Sequence, residues 1–200
     1  LGAGKDCPDM FYITLSSGVG GSHIINGALQ LGLGQAPEAG HTDLFVIGDH
    51  HRICKCGQPS HAESFLGTEG LSATYARIFE VPTNLTPDEQ YSISPKMRDG
   101  IKSHHPKWLA VQKKYSEHLA GFLRNVILNF QPKLIILGGG IAFGNESLLA
   151  DTKVSLKDLM DPRIDKMANM AHGVQLVLAK LQNSGIIGAA KHAFDHIERN

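Results

Sequence analysis

The first thirty residues contain short runs of apolar residues broken by glycine, a pattern typical of strands and turns. Residues 11–15 (FYITL) are aromatic or β-branched and end at the glycine-rich segment 16–22 (SSGVGGS), which predicts a strand, a tight turn and a second strand. Asn26-Gly27 separates the apolar pairs 24–25 and 28–29, and Asn-Gly is the strongest two-residue hairpin signal. A meander of short antiparallel strands is therefore expected to open the domain.

The second half of the chain changes to helical spacing. From Tyr115 to Phe130 the apolar residues recur on one helical face, which predicts an amphipathic helix ended by Gln131-Pro132. Residues 133–137 (KLIIL) predict a strand that runs into Gly138-Gly139-Gly140, the place where an open α/β sheet usually offers its ligand crevice. A helix is also predicted over 146–160, a strand over 173–178 and, after residues 183–185, an alanine-rich helix toward the C-terminus.

An insert separates these two parts. Residues 71–79 are predicted to be helical, and residues 81–95, which contain several prolines and polar residues, are predicted to form a turn-rich stretch on the surface.

Composition narrows the possible functions. The 200 residues are 42% hydrophobic and carry no formal net charge, enough for one large or two small domains with a real core. Neutrality argues against a nucleic-acid surface, and the absence of a long apolar run argues against a membrane span. The start shows no signal-peptide character and no initiating methionine. We expect the chain to be a processed or truncated piece of something longer.

Four soft or borderline metal ligands lie close together in the sequence. Two cysteines flanked by two histidines are typical of a tetrahedral zinc site, and four protein ligands make such a site structural rather than catalytic. The order of ligands differs from that of a nucleic-acid finger, in which the histidine pair follows the cysteine pair. The predicted ligands are His41, Cys54, Cys56 and His61.

Other cysteines and histidines receive no role. Cys7 lies far from the cluster, and the pairs His50-His51 and His104-His105 are treated as solvated loop residues. An odd number of cysteines fits a reducing cytoplasm better than a disulfide framework. A plainer alternative for the cysteines themselves is that they are ordinary small hydrophobes, because Cys-x-Cys alone is a weak signal.

Two carboxylates, Glu38 and Glu63, are interleaved with the metal ligands. An ionised carboxylate offers only acceptors and can hold two hydroxyl donors in fixed geometry, so a rigid loop with two carboxylates suits a polyol. The glycine-rich hairpin would let backbone N–H groups approach a phosphate closely. By itself such a hairpin is more often only a tight turn.

Taken together in their order, these motifs resemble the ROK family (repressors, open reading frames, kinases). The matching segments are residues 15–21 (LSSGVGG), 38–41 (EAGH), 54–59 (CKCGQP), Glu63 and 137–140 (LGGG). The resemblance covers nearly the whole chain. It implies an α/β fold of the actin-like ATPase (ribonuclease-H-like) class, with antiparallel hairpins, a mixed sheet and flanking helices. Residues 1–200 would form the C-terminal lobe of a two-lobe sugar kinase whose upstream lobe is missing here.

The resemblance also implies the roles of particular residues. Glu38, His41 and Glu63 would bind the sugar, and His41 would also ligate structural Zn²⁺. ATP and Mg²⁺ would lie between this lobe and the missing one. The residues implied to hold the nucleotide phosphates are Ser17, Gly18, Gly20 and Gly21, and those near the adenosine are Gly138, Gly139 and Gly140.

Three features depart from the family's pattern. The family reads Cys-x-Cys-Gly-x-x-Gly-Cys-x-Glu, whereas Ser60-His61 stands here for Gly-Cys, and imidazole can replace thiolate as a zinc ligand. Ser17 stands for the usual Thr, and Ser22-His23 for Gly and an apolar residue.

The catalytic base is the largest expected absence. A sugar kinase needs a carboxylate that takes the proton of the attacking hydroxyl, and in the family this aspartate lies upstream of residue 1. Asp6 and Asp9 precede the first strand and are poor substitutes. We therefore expect these residues alone to transfer no phosphate.

The favoured function is thus the sugar- and nucleotide-binding lobe of an ATP-dependent hexose kinase similar to glucokinase or fructokinase. One alternative is the sugar-sensing domain of a ROK transcriptional regulator, whose DNA-binding helices would lie upstream. A structural zinc domain for assembly ranks last. By analogy with the family, we expect a cytoplasmic homodimer.

Overall fold

The computed structural model describes residues 1–46, 51–163 and 165–197. The strands are β1 (Met10–Leu15), β2 (Val19–Ile25), β3 (Ala28–Leu29), β4 (Leu134–Gly138) and β5 (Gln175–Leu178). The helices are α1 (Glu63–Leu66), α2 (Thr68–Phe79), α3 (Pro87–Lys102), α4 (Pro106–Phe130), α5 (Gly139–Ala142), α6 (Glu146–Leu159) and α7 (Ser184–Ile197). Short 3₁₀ turns cover Gly2–Gly4, Ala39–His41 and Ala168–Ala171.

The described strands form one mixed sheet of five strands in the order β3-β2-β1-β4-β5. β1, β2 and β3 pair antiparallel, and β1, β4 and β5 pair parallel. Asn26 and Gly27 both have positive φ angles, 52° and 78°, as the two central residues of a type I′ hairpin turn require. The predicted meander, the later strands and the mixed α/β architecture are confirmed.

The core lies between one face of the sheet and α4. Phe11, Ile13 and Leu15 are fully buried on alternate positions of β1, and the ring of Phe11 packs 4.8 Å from that of Phe130 on α4. α4 is 25 residues long and begins at Pro106, nine residues before the predicted start at Tyr115. Its proline is at the first helical turn, where the missing N–H costs nothing. No helix in the described part of the chain combines the length and apolarity of a membrane span.

The prediction for residues 81–95 is wrong in its second half, because α3 begins at Pro87. The side chain of Thr86 accepts a hydrogen bond from the Glu89 N–H, and Glu89 in turn accepts from the Thr86 N–H. This capping box, with proline at the first position, starts a helix from residues that otherwise signal a turn. Pro95 lies inside α3, which is why the segment resembled a loop.

The carboxyl ends of β1 and β4 lie side by side, since Thr14 pairs with Gly138. The next residue, Gly139, has φ +85°, and a Cβ there would lie 2.3 Å from the backbone oxygen of Leu15. The chain can therefore turn from β4 into α5 beside the β1–β2 hairpin only through glycine. Gly140 has no atom within 4 Å of a Cβ position.

Gly139→Ala is expected to destabilise the fold by about 2–4 kcal/mol, because it adds both a positive-φ penalty and a backbone clash. Gly140→Ala, one residue away in open space, is the matched control and should stay within about 0.5 kcal/mol of the wild type. Urea unfolding followed by circular dichroism measures both. Equal midpoints for the two variants would contradict the assigned packing.

Candidate functional site

His41, Cys54, Cys56 and His61 form one cluster. One ligand atom from each lies within 4.8 Å of all the others. The Nδ1 atoms of the two histidines are 3.3 Å apart, His41 Nδ1 is 3.6 Å from Cys54 Sγ, and His61 Nδ1 is 3.1 Å from Cys56 Sγ. The structure thus brings together all four residues that the sequence predicted as ligands.

The His41–His61 and His41–Cys54 separations fit a tetrahedral metal ion, and the His61–Cys56 separation of 3.1 Å is about 0.5 Å shorter than such an ion sets. With Zn–N of about 2.05 Å and Zn–S of about 2.3 Å, two nitrogens on one zinc lie about 3.3 Å apart and a nitrogen and a sulfur about 3.6 Å apart. The residues present therefore suit zinc in their chemistry, and two of the three separations already match its coordination. Burial raises the pKa of the Cys54 thiol above its ordinary value, a shift that a coordinated cation opposes because it binds the thiolate.

Backbone hydrogen bonds shape the turn that carries the cysteines. The Gly57 N–H donates to the Cys54 carbonyl at 2.8 Å, and the Cys54 N–H donates to the Gln58 carbonyl at 2.9 Å. Gly57 has φ +90°, a conformation that glycine adopts without strain. Cys54 and Cys56 thereby stay close together although one residue separates them.

Arg52, which no sequence pattern singles out, holds this turn on α2. Its guanidinium donates to the Gly70 carbonyl at 2.8 Å and to the Thr74 hydroxyl at 3.1 Å. It also lies 4.9 Å from the centre of the Phe65 ring, within the range of a cation–π contact. An arginine in a loop carries no periodic signal, so only the fold reveals this contact.

Glu63 lies at the junction of the cluster and the glycine-rich hairpin. Its Oε2 accepts from the Val19 N–H at 3.0 Å, and its Oε1 is 3.7 Å from the Cys54 thiol that donates to it. A Cβ on Gly18 would lie 2.4 Å from Oε2. Glycine at 18 therefore makes room for the carboxylate against the hairpin.

Glu38 and His41 are placed by a single 3₁₀ turn. The His41 N–H donates to the Glu38 carbonyl at 3.0 Å, and the Glu38 side chain is exposed. Gly40 lies directly over β2, where a Cβ would be 2.1 Å from the Val19 carbonyl oxygen. With His41 Nδ1 facing the cluster, its Nε2 is the ring nitrogen left for a ligand.

A cleft of about 150 Å³ joins these parts, with Ser17, Cys54, Glu63 and Ser64 in its wall. Ser17 is exposed at the hairpin turn. The Ser17 hydroxyl of the hairpin and the Glu63 carboxylate thus line the same small cleft.

The predicted nucleotide residues lie at one edge of the sheet. Ser17 and Gly18 form the turn after β1, and Gly139 and Gly140 follow the adjacent β4. Gly20 belongs to β2, and Gly21 is buried, with its Cβ position 2.8 Å from the Phe11 ring. Gly138 is likewise buried, with its Cβ position 2.0 Å from the Tyr12 hydroxyl.

Gly21 and Gly138 thus have packing reasons to be glycine. A cavity of about 750 Å³ opens beside Gly139 and Gly140, on the sheet face that Tyr12 and Thr14 line.

Asp9 is engaged at the far end of β1. Its carboxylate accepts from the Asn26 N–H at 2.9 Å and pairs with Lys133 at 2.8 Å. The Asn26 hydrogen bond and then the Lys133 ammonium lower the pKa of Asp9 below its ordinary value. Six strand residues separate Asp9 from the hairpin turn, about 20 Å at strand spacing, while Asp6 is exposed near the start of the chain.

Among the described residues, those given no role are not members of the cluster. The Cys7 thiol donates to the Asp9 carbonyl at 3.2 Å. His105 stacks on Phe79 with centroids 5.9 Å apart. His50 lies outside the described residues.

Known proteins similar to this chain include sugar kinases. A glucokinase of Pyrobaculum calidifontis is 34% identical over 139 residues, which are 68% of this chain and 43% of that protein. A glucokinase of Halalkalibacterium halodurans is 28% identical over 199 residues, which are 94% of this chain and 56% of that protein. The chain spans about half the length of these curated relatives.

Solved structures share the fold at low sequence identity. The ROK hexokinase from Thermus thermophilus matches with a TM-score of 0.77 at 21% identity, covering 100% of this chain and 61% of that one. A ROK family transcriptional regulator, a homologue of the E. coli MLC protein, matches with a TM-score of 0.70 at 19% identity, covering 91% and 44%. These likenesses confirm the actin-like ATPase fold expected from the sequence. The family model described as ROK family matches residues 1–195, and the chain belongs to the ROK family.

Proposed function

We propose that this chain is the sugar- and nucleotide-binding lobe of an ATP-dependent hexose kinase. The observation that carries the proposal is the 3.0 Å hydrogen bond between the Glu63 carboxylate and the Val19 N–H of the glycine-rich hairpin. Phosphoryl transfer is catalysed mainly by positioning an acceptor hydroxyl beside the phosphate. A sugar-binding carboxylate in contact with a phosphate-binding hairpin meets that requirement.

The sugar would be held by Glu38, His41 and Glu63. One Glu63 oxygen is already fixed by Val19, and each carboxylate oxygen has a second lone pair for a hydroxyl donor. The His41 Nε2 proton supplies a donor when Nδ1 faces the metal. Hexoses differ by single hydroxyl positions, so the choice among them rests on the shape of this pocket.

The nucleotide would lie along the sheet edge beyond the hairpin. Ser17 and Gly18 would face the phosphates, and Gly139 and Gly140 would face the adenosine beside the 750 Å³ cavity, a volume within the usual range of ligand sites. Gly20, Gly21 and Gly138 would keep the backbone of this edge in place. ATP would bring Mg²⁺ with it.

A zinc ion held by His41, Cys54, Cys56 and His61 would be structural. Four protein ligands leave no open coordination position, so the ion would fix the loop and not act on the substrate. The loop carries His41 and precedes Glu63 directly, so that its rigidity sets the geometry of the sugar site.

The proton acceptor of the reaction would come from outside residues 1–200. Asp9 is paired with Lys133 about 20 Å from the hairpin turn. We therefore propose that a further lobe outside these residues supplies the base and closes the site over ATP. A homodimer in the cytoplasm completes the proposal, and the free state of Cys7, Cys54 and Cys56 is consistent with a reducing compartment.

A sugar-sensing regulator is the second candidate, since one structural neighbour is a ROK regulator. It would use the same sugar and zinc residues but would not need the hairpin turn and Gly140 to stay accessible. Ser17 and Gly140 are both exposed, which favours the kinase. Binding of a non-hydrolysable ATP analogue to the chain separates the two candidates.

Metal content tests the zinc site. Purified wild-type chain is expected to hold about one zinc, measured by mass spectrometry, and His61→Ala is expected to lose it because three ligands remain. His104→Ala, which removes a histidine outside the cluster, should leave the content unchanged. A wild-type chain reconstituted with zinc that retains none would refute the site.

Glu63→Gln is expected to lower the affinity for glucose at least about tenfold, the size of a lost charge-assisted hydrogen bond. Gly18→Ala should give a similar loss without removing a functional group, because its Cβ would displace the carboxylate. Glu117→Gln, on the exposed side of α4 beside Lys114, is the control. Calorimetry with glucose measures all three, and unchanged affinity in the first two variants would exclude Glu63 from the site.

The wild-type chain, zinc-loaded and shown to bind glucose, is expected to form no glucose phosphate from ATP and Mg²⁺, because the proposal places the proton acceptor outside residues 1–200. A coupled assay for ADP, with direct detection of the sugar phosphate, measures this. Steady phosphorylation by these residues alone would show that the base lies within them.

A further inference from the structure

We propose that Asp43 is a positioning residue that holds the imidazole of His61 for the metal, an inference that rests on the zinc site of the proposed function. Asp43 and His61 form an isolated antiparallel bridge. The Leu44 N–H donates to the Ser60 carbonyl at 2.7 Å on one side of the pair, and the Ala62 N–H donates to the Thr42 carbonyl at 2.9 Å on the other.

This hydrogen-bond pattern brings the two side chains together. The bonds flank the pair and do not join its own backbone groups, so Asp43 and His61 are a non-hydrogen-bonded pair, the closer of the two antiparallel types. Side chains directly opposite in such a pair share one face, with Cβ atoms about 4.5–5.5 Å apart. The backbone therefore directs the Asp43 carboxylate toward the His61 ring.

The contact is made at the ring nitrogen away from the cluster. His61 Nε2 lies 3.9 Å from Asp43 Oδ1, while His61 Nδ1 lies 3.1 Å from Cys56 Sγ and 3.3 Å from His41 Nδ1. A metal on Nδ1 requires the proton to be on Nε2. That N–H faces the carboxylate, which needs to move only about 1 Å to accept it.

A carboxylate behind a metal-binding imidazole fixes both the tautomer and the orientation of the ring, and makes the nitrogen a better ligand. Asp43 is free to supply it, since its side chain is 86% exposed while that of His61 is 13% exposed. Glu63, the other carboxylate near the cluster, is directed instead at Val19 and Cys54.

The backbone of Asp43 is held independently of its carboxylate. Its carbonyl accepts from the Asn125 side chain of α4 at 3.2 Å. Asp43→Asn keeps this bond and the size of the side chain, and replaces the charge with an amide. The variant thus removes the carboxylate and leaves the bridge in place.

The test is the zinc affinity of Asp43→Asn, measured by competition with a chromophoric chelator, in the wild type and in a His61→Cys background. In the otherwise wild-type chain, we expect Asp43→Asn to lower the zinc affinity about tenfold. This is the lower end of the range for outer partners of metal ligands, because the carboxylate is exposed and screened. In His61→Cys we expect no loss, because a thiolate has no N–H to donate. Glu69→Gln is the control, because Glu69 is an exposed carboxylate on α2 that pairs with Lys55 between the two cysteines. Its zinc affinity should match that of the wild type.

Other results would overturn the inference. An equal loss in both backgrounds, or in Glu69→Gln as well, would mean that Asp43 acts through charge or folding and not through His61. Full zinc affinity in Asp43→Asn, and also in Asp43→Ala, which removes the amide acceptor that asparagine keeps, would reject Asp43 and leave the zinc site standing. A wild type without zinc affinity would instead remove the zinc site itself, and the role of Asp43 with it.

Discussion

The hydrogen bond between Val19 and Glu63 is the contact around which the rest of the site is arranged. It joins the start of β2 to the start of α1, two points 44 residues apart in the chain. A second contact reinforces this one. The Ser16 carbonyl accepts hydrogen bonds from both the N–H and the hydroxyl of Thr68 at the start of α2. The hairpin turn is thereby held against the amino ends of two helices, and the carboxylate has one orientation.

The turn that carries His41 is packed closely against the glycine-rich hairpin. Gly40 rests on the Val19 carbonyl, and the Cβ position of Gly21 lies 3.0 Å from the Cβ of Ala39. The turn that presents His41 is thus packed directly on the hairpin strand. Because packed interiors transmit displacement and do not absorb it, a change at the proposed metal ligands would also shift the hairpin. The proposed sugar-binding and phosphate-binding sides would then be coupled through β2 itself.

Most of the fold and the four clustered cysteines and histidines can be predicted from the sequence, because both depend on local patterns along the chain. Short apolar runs with Asn-Gly specify the meander, and the spacing of cysteine and histidine specifies the cluster. Residues 81–95 were misjudged because proline and threonine signal both a turn and a helix start, and only the Thr86–Glu89 capping box decides between them. Arg52 and Asp43 were missed because their contacts arise from tertiary structure, with no periodic or motif signal along the chain.

The histidine at position 61 also changes where charge lies in the site. With zinc bound, two thiolates and two neutral imidazoles give a neutral centre, whereas the family's pattern of three thiolates and one imidazole gives a net charge of about −1. Asp43 adds one negative charge beside His61, but its side chain is 86% exposed, where solvent and salt screen it. Compared with the family's pattern, one negative charge thus lies on the exposed Asp43 side chain instead of on a third metal-bound thiolate. Glu63 and an incoming phosphate would then face a neutral centre, and the repulsion that a third thiolate would exert on them is reduced.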